Sequence, residues 1–251
     1  MDVYDWQSID AFSGTSCFLN GTGLSVGSFD GIHLGHRVLI KNLVVACAEH
    51  KLIPGVITFI RPLPAIKHSD DYTGDISTLS QRLRFFEQLG IKFAVTVEFN
   101  QEFSSLKGAD FLSILHKKMN MKLIAEGIDF RCGYKGATDT QAIKYWAQQN
   151  NVEYRFVDPV FYTEADGFEE RVSSSYIRER INKGFFTRAS ELLDRPYEID
   201  IEEIRKNGKT NQVLPPDGFY QTISEKGETV RLKIQDRRVV ELPDCCSVLF
   251  T

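Results

Sequence analysis

In the stretch "SVGSFDGIHLGH" at residues 25–36, an apolar run stops and glycine, aspartate and histidine follow at once. Its start is typical of a strand, and the residues from His36 onward have the period of a helix. Gly27, Gly31 and Gly35 permit a tight turn and a close approach of the backbone to a ligand. The stretch therefore predicts a strand, a glycine-rich turn and a helix in direct succession.

Two histidines give this turn its candidate chemistry. The first turn of a helix has unpaired N–H groups and the positive end of the dipole, which together attract anions. His33 and His36 are three residues apart and share a face, so both imidazoles are placed to donate to phosphate oxygens. The stretch matches neither the Walker loop nor the G-x-G-x-x-G dinucleotide motif. The alternative is an ordinary helix start with two solvated histidines.

Short apolar runs alternate with helical segments over the first two thirds of the chain. The runs "GLSVGSF", "GVITFI", "FAVTVEF", "KLIAEGI" and "VEYRFVDPV" are typical of strands. One helical segment, "TLSQRLRFFEQLG", places Leu79, Leu83 and Phe86 on one face and ends at Gly90. Strands that are apolar on both faces predict an α/β domain with a Rossmann-like, doubly wound parallel sheet. Ligands of such sheets bind outside the carboxyl ends of the strands.

From about Tyr197 the pattern changes to alternation near period two. The segments "YEIDIEEI", "GFYQTIS", "ETVRLKIQ" and "RRVVELP" are separated by "KNGK", "LPPDG" and "EKGE", which are turn signals. The sequence therefore predicts an α/β domain over residues 1–190 and a small β module over residues 191–251.

Composition restricts the class of protein. Of the 251 residues, 42% are apolar and 25% are charged, and the net charge of −4 disfavours sequence-independent binding of nucleic acid. No apolar run approaches the roughly 18 residues of a transmembrane helix, and the acidic start "MDVYDWQSID" lacks the apolar core of a secretory signal. We expect a cytoplasmic protein with neither nucleic acid nor membrane as partner, and the oligomeric state stays open.

The five cysteines have no metal-site spacing. Cys17, Cys47, Cys132, Cys245 and Cys246 form neither a C-x-x-C pair nor a set with histidine at the intervals of a zinc site. Reduced thiols are therefore expected.

A second anion-binding segment is "RVSSSYIR" at residues 171–178. Serines at the start of a predicted helix offer hydroxyl and backbone N–H groups to an anion. Ser174 and Arg178 are four residues apart, so the guanidinium is placed to join the hydroxyl at a phosphate. The alternative is a serine-capped helix with an exposed arginine.

Two further segments follow predicted strands. "IDFRCG" places Asp129 at the carboxyl end of a strand, where a ligand site is expected, although a solvated turn aspartate is the alternative. "TFIRPLP" ends a strand with prolines, which stiffen a loop whether or not it faces a ligand.

Four ordered motifs resemble those of the prokaryotic FAD synthetases, the bifunctional riboflavin kinase/FMN adenylyltransferases of the nucleotidyltransferase superfamily. "GIDFRCG" resembles their G-x-D-F-x-F-G, with Cys132 for an aromatic residue, and "RVSSSYIR" resembles S-S-T-x-I-R. "LLDRPYEI" resembles the L-G-R-P-Y bridge, with Asp194 for glycine, whereas "TFIRPLP" has Ile60 where the family has phenylalanine. The fixed positions of their G-x-F-D-G-x-H-x-G-H are met by Gly27, Phe29, Asp30, Gly31, His33, Gly35 and His36.

This resemblance implies adenylyl transfer, in which the phosphate of FMN attacks the α-phosphorus of ATP to give FAD and pyrophosphate. It implies that His33 and His36 stabilise the α- and β-phosphates. It also implies that Ser174 and Arg178 hold the β- and γ-phosphates, while Mg²⁺ enters with ATP and needs no protein metal site. The implied binding residues are Gly27, Ser28, Phe29, Asp30, Gly35, Asp129, Arg131, Arg171, Ser173 and Ser175.

The C-terminal module departs from the family. A complete riboflavin kinase barrel has a G-R-x-x-G-x-P-T-x-N motif after the bridge, and its P-T-x-N part is missing here, although "VLPPDGFY" resembles a later L-P-x-x-G-x-Y. The chain also stops short of the usual end. We therefore expect a reduced, truncated β-barrel-like module without riboflavin kinase activity.

Two other functions stay open. One is a sibling nucleotidyltransferase that acts on another phosphate, such as a pantetheine-phosphate adenylyltransferase or a cytidylyltransferase. The other is a non-catalytic flavin-nucleotide binder, a sensor or scaffold, which Cys132 and the shifted proline loop favour. The F-D-G flank favours the flavin enzyme, and the two histidines with the serine–arginine pair favour catalysis.

Overall fold

The computed structural model describes residues 1–12, 18–67, 72–163 and 167–250, and Cys17 lies outside them. The chain divides into two compact units, each built from several segments. The first unit consists of Met1–Ser28, His36–Leu63 and Leu83–Pro159. The second unit consists of Phe29–Gly35, Pro64–Arg82 and Val160–Thr251. The predicted boundary between residues 190 and 191 stays a prediction.

The first unit contains a parallel sheet in the order β1-β4-β3-β2-β5-β8. Its central strands are mostly apolar because both faces are covered, as "FAVTV" of β4 illustrates with five buried residues. The strands of this unit are β1 Asp2–Asp5, β2 Thr22–Gly27, β3 Ile53–Phe59, β4 Phe93–Val97, β5 Met121–Gly127, β6 Arg131–Cys132, β7 Thr138–Asp139 and β8 Glu153–Val157. The predicted α/β class with a doubly wound sheet is confirmed, and β1 is a strand that the sequence analysis missed.

Helices alternate with these strands along the chain. They are α1 Leu34–Glu49, α2 Leu63–Lys67, α3 Leu79–Gln88, α4 Gln101–Ser105, α5 Gly108–Lys118 and α6 Thr140–Gln149, with short 3₁₀ helices at Trp6–Phe12 and Tyr134–Gly136. Gly90 follows α3 with φ 95°, the left-handed conformation that ends a helix. The buried face of α3 differs from the predicted stripe, because Arg82 and Phe86 are wholly buried while Leu79 and Leu83 are half-buried.

The second unit contains an antiparallel sheet in the order β11-β15-β12-β13-β14. Tyr197, Ile199, Leu232, Val248 and Phe250 are among the side chains that form its core. The elements of this unit from Val160 onward are β9 Phe161–Thr163, β10 Glu169–Arg171, α7 Ser174–Asn182, α8 Phe186–Leu193, β11 Tyr197–Asp200, α9 Ile201–Asn207, β12 Gly218–Ser224, β13 Thr229–Gln235, β14 Arg238–Glu241 and β15 Ser247–Phe250. The predicted C-terminal β module is therefore confirmed.

One predicted strand of this module is wrong in its second half. "YEIDIEEI" is extended only as far as Asp200, whose side chain accepts the N–H of Glu203 at 2.8 Å and starts α9. Ile201 and Ile204 are buried on one side of this helix, and Gly208 ends it with φ 73°. A local capping signal therefore overrides the alternation, and "KNGK" is a helix end rather than a hairpin turn.

Candidate active site

The strand order places the topological switch point of the parallel sheet between β2 and β5. The chain runs from β2 to β3 and β4 on one side, and from β5 to β8 on the other. The ladder between β2 and β5 ends at Leu24, and the N–H of Val26 instead donates to Oε1 of Glu126 at 2.6 Å. Open α/β sheets bind ligands outside the carboxyl ends of strands at such a point, and both sequence-predicted turns follow these two strands.

Glu126 is a buried carboxyl group that the sequence analysis missed. Burial raises its pKa well above the usual range, and the hydrogen bond from Val26 opposes part of that shift. Its side chain accepts a backbone N–H of β2 where the backbone pairing between β2 and β5 has ended. The available signal was a single charged residue inside the otherwise apolar end of the run "KLIAEG".

Gly27 and Ser28 form the exit from β2. Gly27 is opposite Thr58 of β3, and the hydroxyl of Thr58 donates to the carbonyl of Ser28 at 3.4 Å. Oγ of Ser28 accepts the N–H of Leu63, the first residue of α2, at 3.0 Å. Ser28 therefore fixes the start of α2, and its contact with a ligand stays a prediction.

The turn from Phe29 to Gly35 has an unusual backbone. Phe29 has φ 48°, Gly31 has φ 82° and Ile32 has φ 40°, so three of four consecutive residues are left-handed. For the two residues that carry side chains this conformation costs on the order of 1 kcal/mol each. Both side chains are buried, at 2% and 0% exposure, and neighbouring groups must therefore hold the turn.

The side chain of Asp30 is the centre of the hydrogen-bond network that fixes this turn. Its Oδ1 accepts the N–H groups of Ile76 at 2.8 Å and Ser77 at 3.1 Å, and its Oδ2 accepts Nη2 of Arg178 at 2.7 Å. Oγ of Ser77 in turn accepts the N–H of Gly31 at 2.9 Å. Burial raises the pKa of Asp30 above its usual range, and the Arg178 guanidinium acts in the opposite direction. Within the second unit, the residue predicted to bind a ligand thus organises the turn.

Ser174 and Arg178 lie on one face of α7, as predicted, and both contact Asp30. Oγ of Ser174 donates to the carbonyl of Asp30 at 2.8 Å. Arg178 is 7% exposed, donates Nε to the carbonyl of Gly74 at 2.7 Å and stacks on the ring of Tyr72 at 4.6 Å. The alternative of an exposed arginine is therefore wrong. The predicted contact of these two side chains with phosphate stays a prediction.

His33 is a buried, neutral imidazole. Burial lowers its pKa to about 3, and the positive charges of Arg171 and Arg195 add to that shift. A Cβ at Gly35 would lie 3.3 Å from the His33 ring, so the glycine leaves room for it. His33 belongs to the second unit, whereas His36, the third residue of α1, belongs to the first and is half-buried. The alternative of two solvated histidines is wrong for His33.

The other predicted residues of the serine segment have distinct places. Ser173 is the N-cap of α7, and its side chain accepts the N–H of Tyr176 at 3.2 Å. Arg171 is exposed at the end of β10, and its charge acts on His33. Ser175 is exposed on the first turn of α7.

The second predicted turn belongs wholly to the first unit. Asp129 is exposed in the turn that follows β5, where the N–H of Phe130 donates to the carbonyl of Gly127 at 3.0 Å. Arg131 is also exposed, and its Nε donates to the carbonyl of Gly136 at 2.7 Å. The structure thus places Asp129 and Arg131 together at the carboxyl end of the switch-point strand.

The proline loop begins where β3 ends. Phe59 is 5% exposed and packs edge-on against Phe99 and Phe103, so it is a core residue. Ile60, which occupies the register of the family's phenylalanine, is 39% exposed.

Arg195 is a residue at the turn that the sequence analysis missed. Its Nη2 donates to the carbonyl of Gly31, and its Nη1 donates to the carbonyl of Ile32 at 3.3 Å. Its signal in the sequence was the "RPY" of the bridge segment, which the sequence analysis treated only as a connection.

No helix in the described ranges is both long and apolar enough to cross a membrane. In that same part of the chain, no three histidine, cysteine or acidic side chains are grouped as a metal site would require.

A parallel sheet whose switch-point strand leads into an H-x-G-H turn defines a nucleotidyltransferase-type α/β protein. Comparison with known proteins makes this specific. A family model described as FAD synthetase matches residues 17–176, and the chain belongs to that family, whose members are nucleotidyltransferases.

Curated relatives carry related names. The chain is 26% identical over 203 residues to the FAD synthetase of Listeria monocytogenes, a match that covers 80% of each protein. It is 29% identical over 215 residues to the bifunctional riboflavin kinase/FMN adenylyltransferase of Escherichia coli K12, covering 80% of this chain and 67% of that protein. A crystal structure described as a macrolide-efflux protein from Streptococcus pneumoniae has the same fold, with a TM-score of 0.74, 20% identity and coverage of 99% and 90% of the two chains.

Proposed function

We propose that the protein is an FMN adenylyltransferase, which transfers AMP from ATP to FMN. An oxygen of the FMN phosphate attacks the α-phosphorus of ATP, the bond from that phosphorus to the bridging oxygen breaks, and pyrophosphate leaves. The observation that carries the proposal is the Asp30-centred turn that presents His33 directly before α1. Because the attacking phosphate is already an anion, the reaction requires positioning and charge neutralisation rather than a nucleophilic side chain.

The two histidines have different places in this proposal. His33 is neutral and buried, so it donates one N–H to a phosphate oxygen without a cost for moving a charge. The nearby charges of Arg171 and Arg195 favour the arrival of a polyphosphate. His36, within the first turn of α1, adds an imidazole donor to the backbone N–H groups at the helix start.

Ser174 and Arg178 act first on the protein itself. Through the carbonyl and the side chain of Asp30 they fix the turn that carries His33. The proposal also includes contacts of these two side chains with the β- and γ-phosphates of ATP. Magnesium would enter as part of the MgATP substrate, where it would neutralise part of the phosphate charge.

We further propose that the chain does not phosphorylate riboflavin. The residues after the bridge contain no P-T-x-N sequence, and part of that region, Ile201–Asn207, is the capped helix α9. The five-stranded sheet of the C-terminal module then has a structural role.

A single assay tests both statements. The protein is incubated with MgATP and either FMN or riboflavin, and the flavins are separated by chromatography while pyrophosphate and ADP are measured. FAD and pyrophosphate from FMN, with no ADP or FMN from riboflavin, are expected. FMN that binds but does not react would favour the non-catalytic binder, and turnover only with a different phosphate acceptor would favour a sibling enzyme.

A further inference from the structure

The carbonyl groups of the turn from Phe29 to Gly35 need a partner of their own. The Asp30 side chain satisfies N–H groups of the neighbouring segment, and Ser77 satisfies the N–H of Gly31. The carbonyls of Gly31 and Ile32 point to a different side chain, the guanidinium of Arg195, which is 164 positions away from Gly31 in the chain. These two carbonyls directly precede His33 and the start of α1.

Arg195 projects from a well-anchored piece of backbone. Asp194 ends α8 in the left-handed conformation with φ 56°, and the N–H of Arg195 donates to the carbonyl of Ser190 at 3.1 Å. Two residues further on, Tyr197 is wholly buried and donates its hydroxyl to the carbonyl of Val213 at 2.6 Å. Nη1 of Arg195 also donates to the carbonyl of Leu193 at 3.0 Å. The guanidinium is thus held from its own side before it reaches the turn.

Arginine suits this task better than lysine. Its planar fork offers several donors in fixed directions, so one side chain holds two successive carbonyls at once. A lysine ammonium keeps the positive charge but lacks that fixed geometry. The contacts of Arg195 therefore combine two separable features, a fork that holds the backbone and a charge near His33.

We propose that Arg195 is a positioning residue for adenylyl transfer, which holds the carbonyls of Gly31 and Ile32 so that His33 and the first N–H groups of α1 keep their places. The proposal rests on the proposed function. It assigns no contact between Arg195 and substrate. By this proposal, the bridge segment that leads into the C-terminal module helps to position the H-x-G-H turn for the reaction.

Three variants separate this role from general stabilisation. Arg195→Ala removes both features, and Arg195→Lys keeps the charge. Arg205→Ala is the matched control, because Arg205 likewise donates to two backbone carbonyls in the second unit, those of Pro243 and Cys245, neither of which belongs to the turn. We expect kcat for FAD formation to fall about 100-fold in Arg195→Ala, with KM for ATP less changed, because displacement of a reacting group by about 1 Å has this effect. Arg195→Lys is expected to recover part of kcat, and Arg205→Ala to retain it.

A second measurement needs no catalysis. NMR titration of the His33 ring is expected to give a higher pKa in Arg195→Ala than in the wild type, and amide hydrogen exchange at residues 31–34 is expected to be faster. If the wild type forms no FAD, the proposed function fails. In that case, hydrogen exchange and a His33 pKa that are the same in Arg195→Ala as in the wild type would show that Arg195 does not fix the turn either. If the wild type forms FAD but Arg195→Ala or Arg195→Lys has the wild-type kcat, the positioning role is wrong while the proposed function stands.

Discussion

The turn after β2 and the turn after β5 follow neighbouring strands, and each strand ends in glycine and is followed by an aspartate assigned to ligand binding. In the first turn the aspartate, Asp30, is 2% exposed and accepts three hydrogen bonds from protein groups within 3.1 Å. In the second turn Asp129 is exposed, and its neighbour Ile128 is 47% exposed. The Asp30 carboxylate is thus buried within a protein hydrogen-bond network, whereas the Asp129 side chain is exposed.

This difference matches two separate needs of a transferase. Groups that stabilise a developing charge must be fixed before the reaction, because reorganisation during the reaction weakens their effect. Groups that admit and release a substrate must be exposed. The first turn has the left-handed backbone and the buried hydrogen-bond network of a fixed element, whereas the second is exposed, and its role in admitting a substrate stays a prediction. Substitutions in the first are therefore expected to affect folding, and those in the second to affect substrate binding.

The largest expected effect follows from Arg178→Met. It leaves the Asp30 carboxyl group buried without its cation, and we expect a loss of about 3–5 kcal/mol in the free energy of unfolding, measured by urea denaturation. Arg180→Met on the same helix is the control, because Arg180 pairs with a Glu179 that is 46% exposed, and such pairs contribute about 0–1 kcal/mol. Equal losses in both variants would contradict the buried hold, whereas Asp30→Asn added to Arg178→Met is expected to restore part of the stability.

His36→Ala is expected to have the next largest effect, and on activity alone. Removal of one donor at a developing charge typically lowers the rate by about 10²–10³-fold. The half-buried position of His36 on α1 predicts a folded variant. His50→Ala is the matched control, since His50 follows the same helix and pairs with Glu153 at 2.9 Å. FAD formation by His36→Ala at the wild-type rate would remove the histidine from the mechanism.

The fold and the places of both turns were predictable from the sequence, because their signals are local. Continuous apolar runs such as β4 identify buried parallel strands, and glycines with histidines between a strand and a helix predict an anion-binding turn at that place. The place of Asp129 after the end of β5 was predictable because that strand has the same apolar character, whereas its contact with a ligand stays a prediction. Each of these signals is contained in a few consecutive residues.

The hold on the first turn was not predictable, because its partners are distant in sequence. Arg178 and Asp30 are 148 positions apart, and spacing alone does not indicate which buried acid an arginine meets. Arg195 carried a motif, but a motif does not say which carbonyls its guanidinium contacts. The strand β15 was missed because its four residues are too short for a periodic pattern, while α9 had a local signal, Asp200 three residues before Glu203, that alternation obscured.

The pH dependence of stability tests whether His33 is as buried as the comparison requires. Its pKa is lowered to about 3 in the folded state, so between about pH 6.5 and pH 3 the unfolded chain binds a proton that the folded chain does not. Stability therefore falls as pH falls, by about 2 kcal/mol from pH 6.5 to pH 5 for this group. Urea denaturation is measured at both pH values in the wild type and in His33→Asn. The fall in the free energy of unfolding is expected to be smaller in the variant by that amount. Equal drops in the variant and the wild type would place His33 in contact with water.

The smallest change in stability is expected from Asp129→Asn. An exposed turn residue contributes within about 0.5 kcal/mol to folding, and loss of one hydrogen bond to a substrate raises KM by about 5-fold. Glu98→Gln is the matched control, because Glu98 is an exposed carboxylate directly after β4, on the same edge of the sheet but away from the switch point. KM for FMN and for ATP is measured separately, and a rise for one substrate in Asp129→Asn alone identifies what this turn admits. An equal change of KM in both variants would mean that the place of Asp129 at the switch point gives it no special part in substrate binding. The difference between the fixed turn and the exposed turn would then concern folding only.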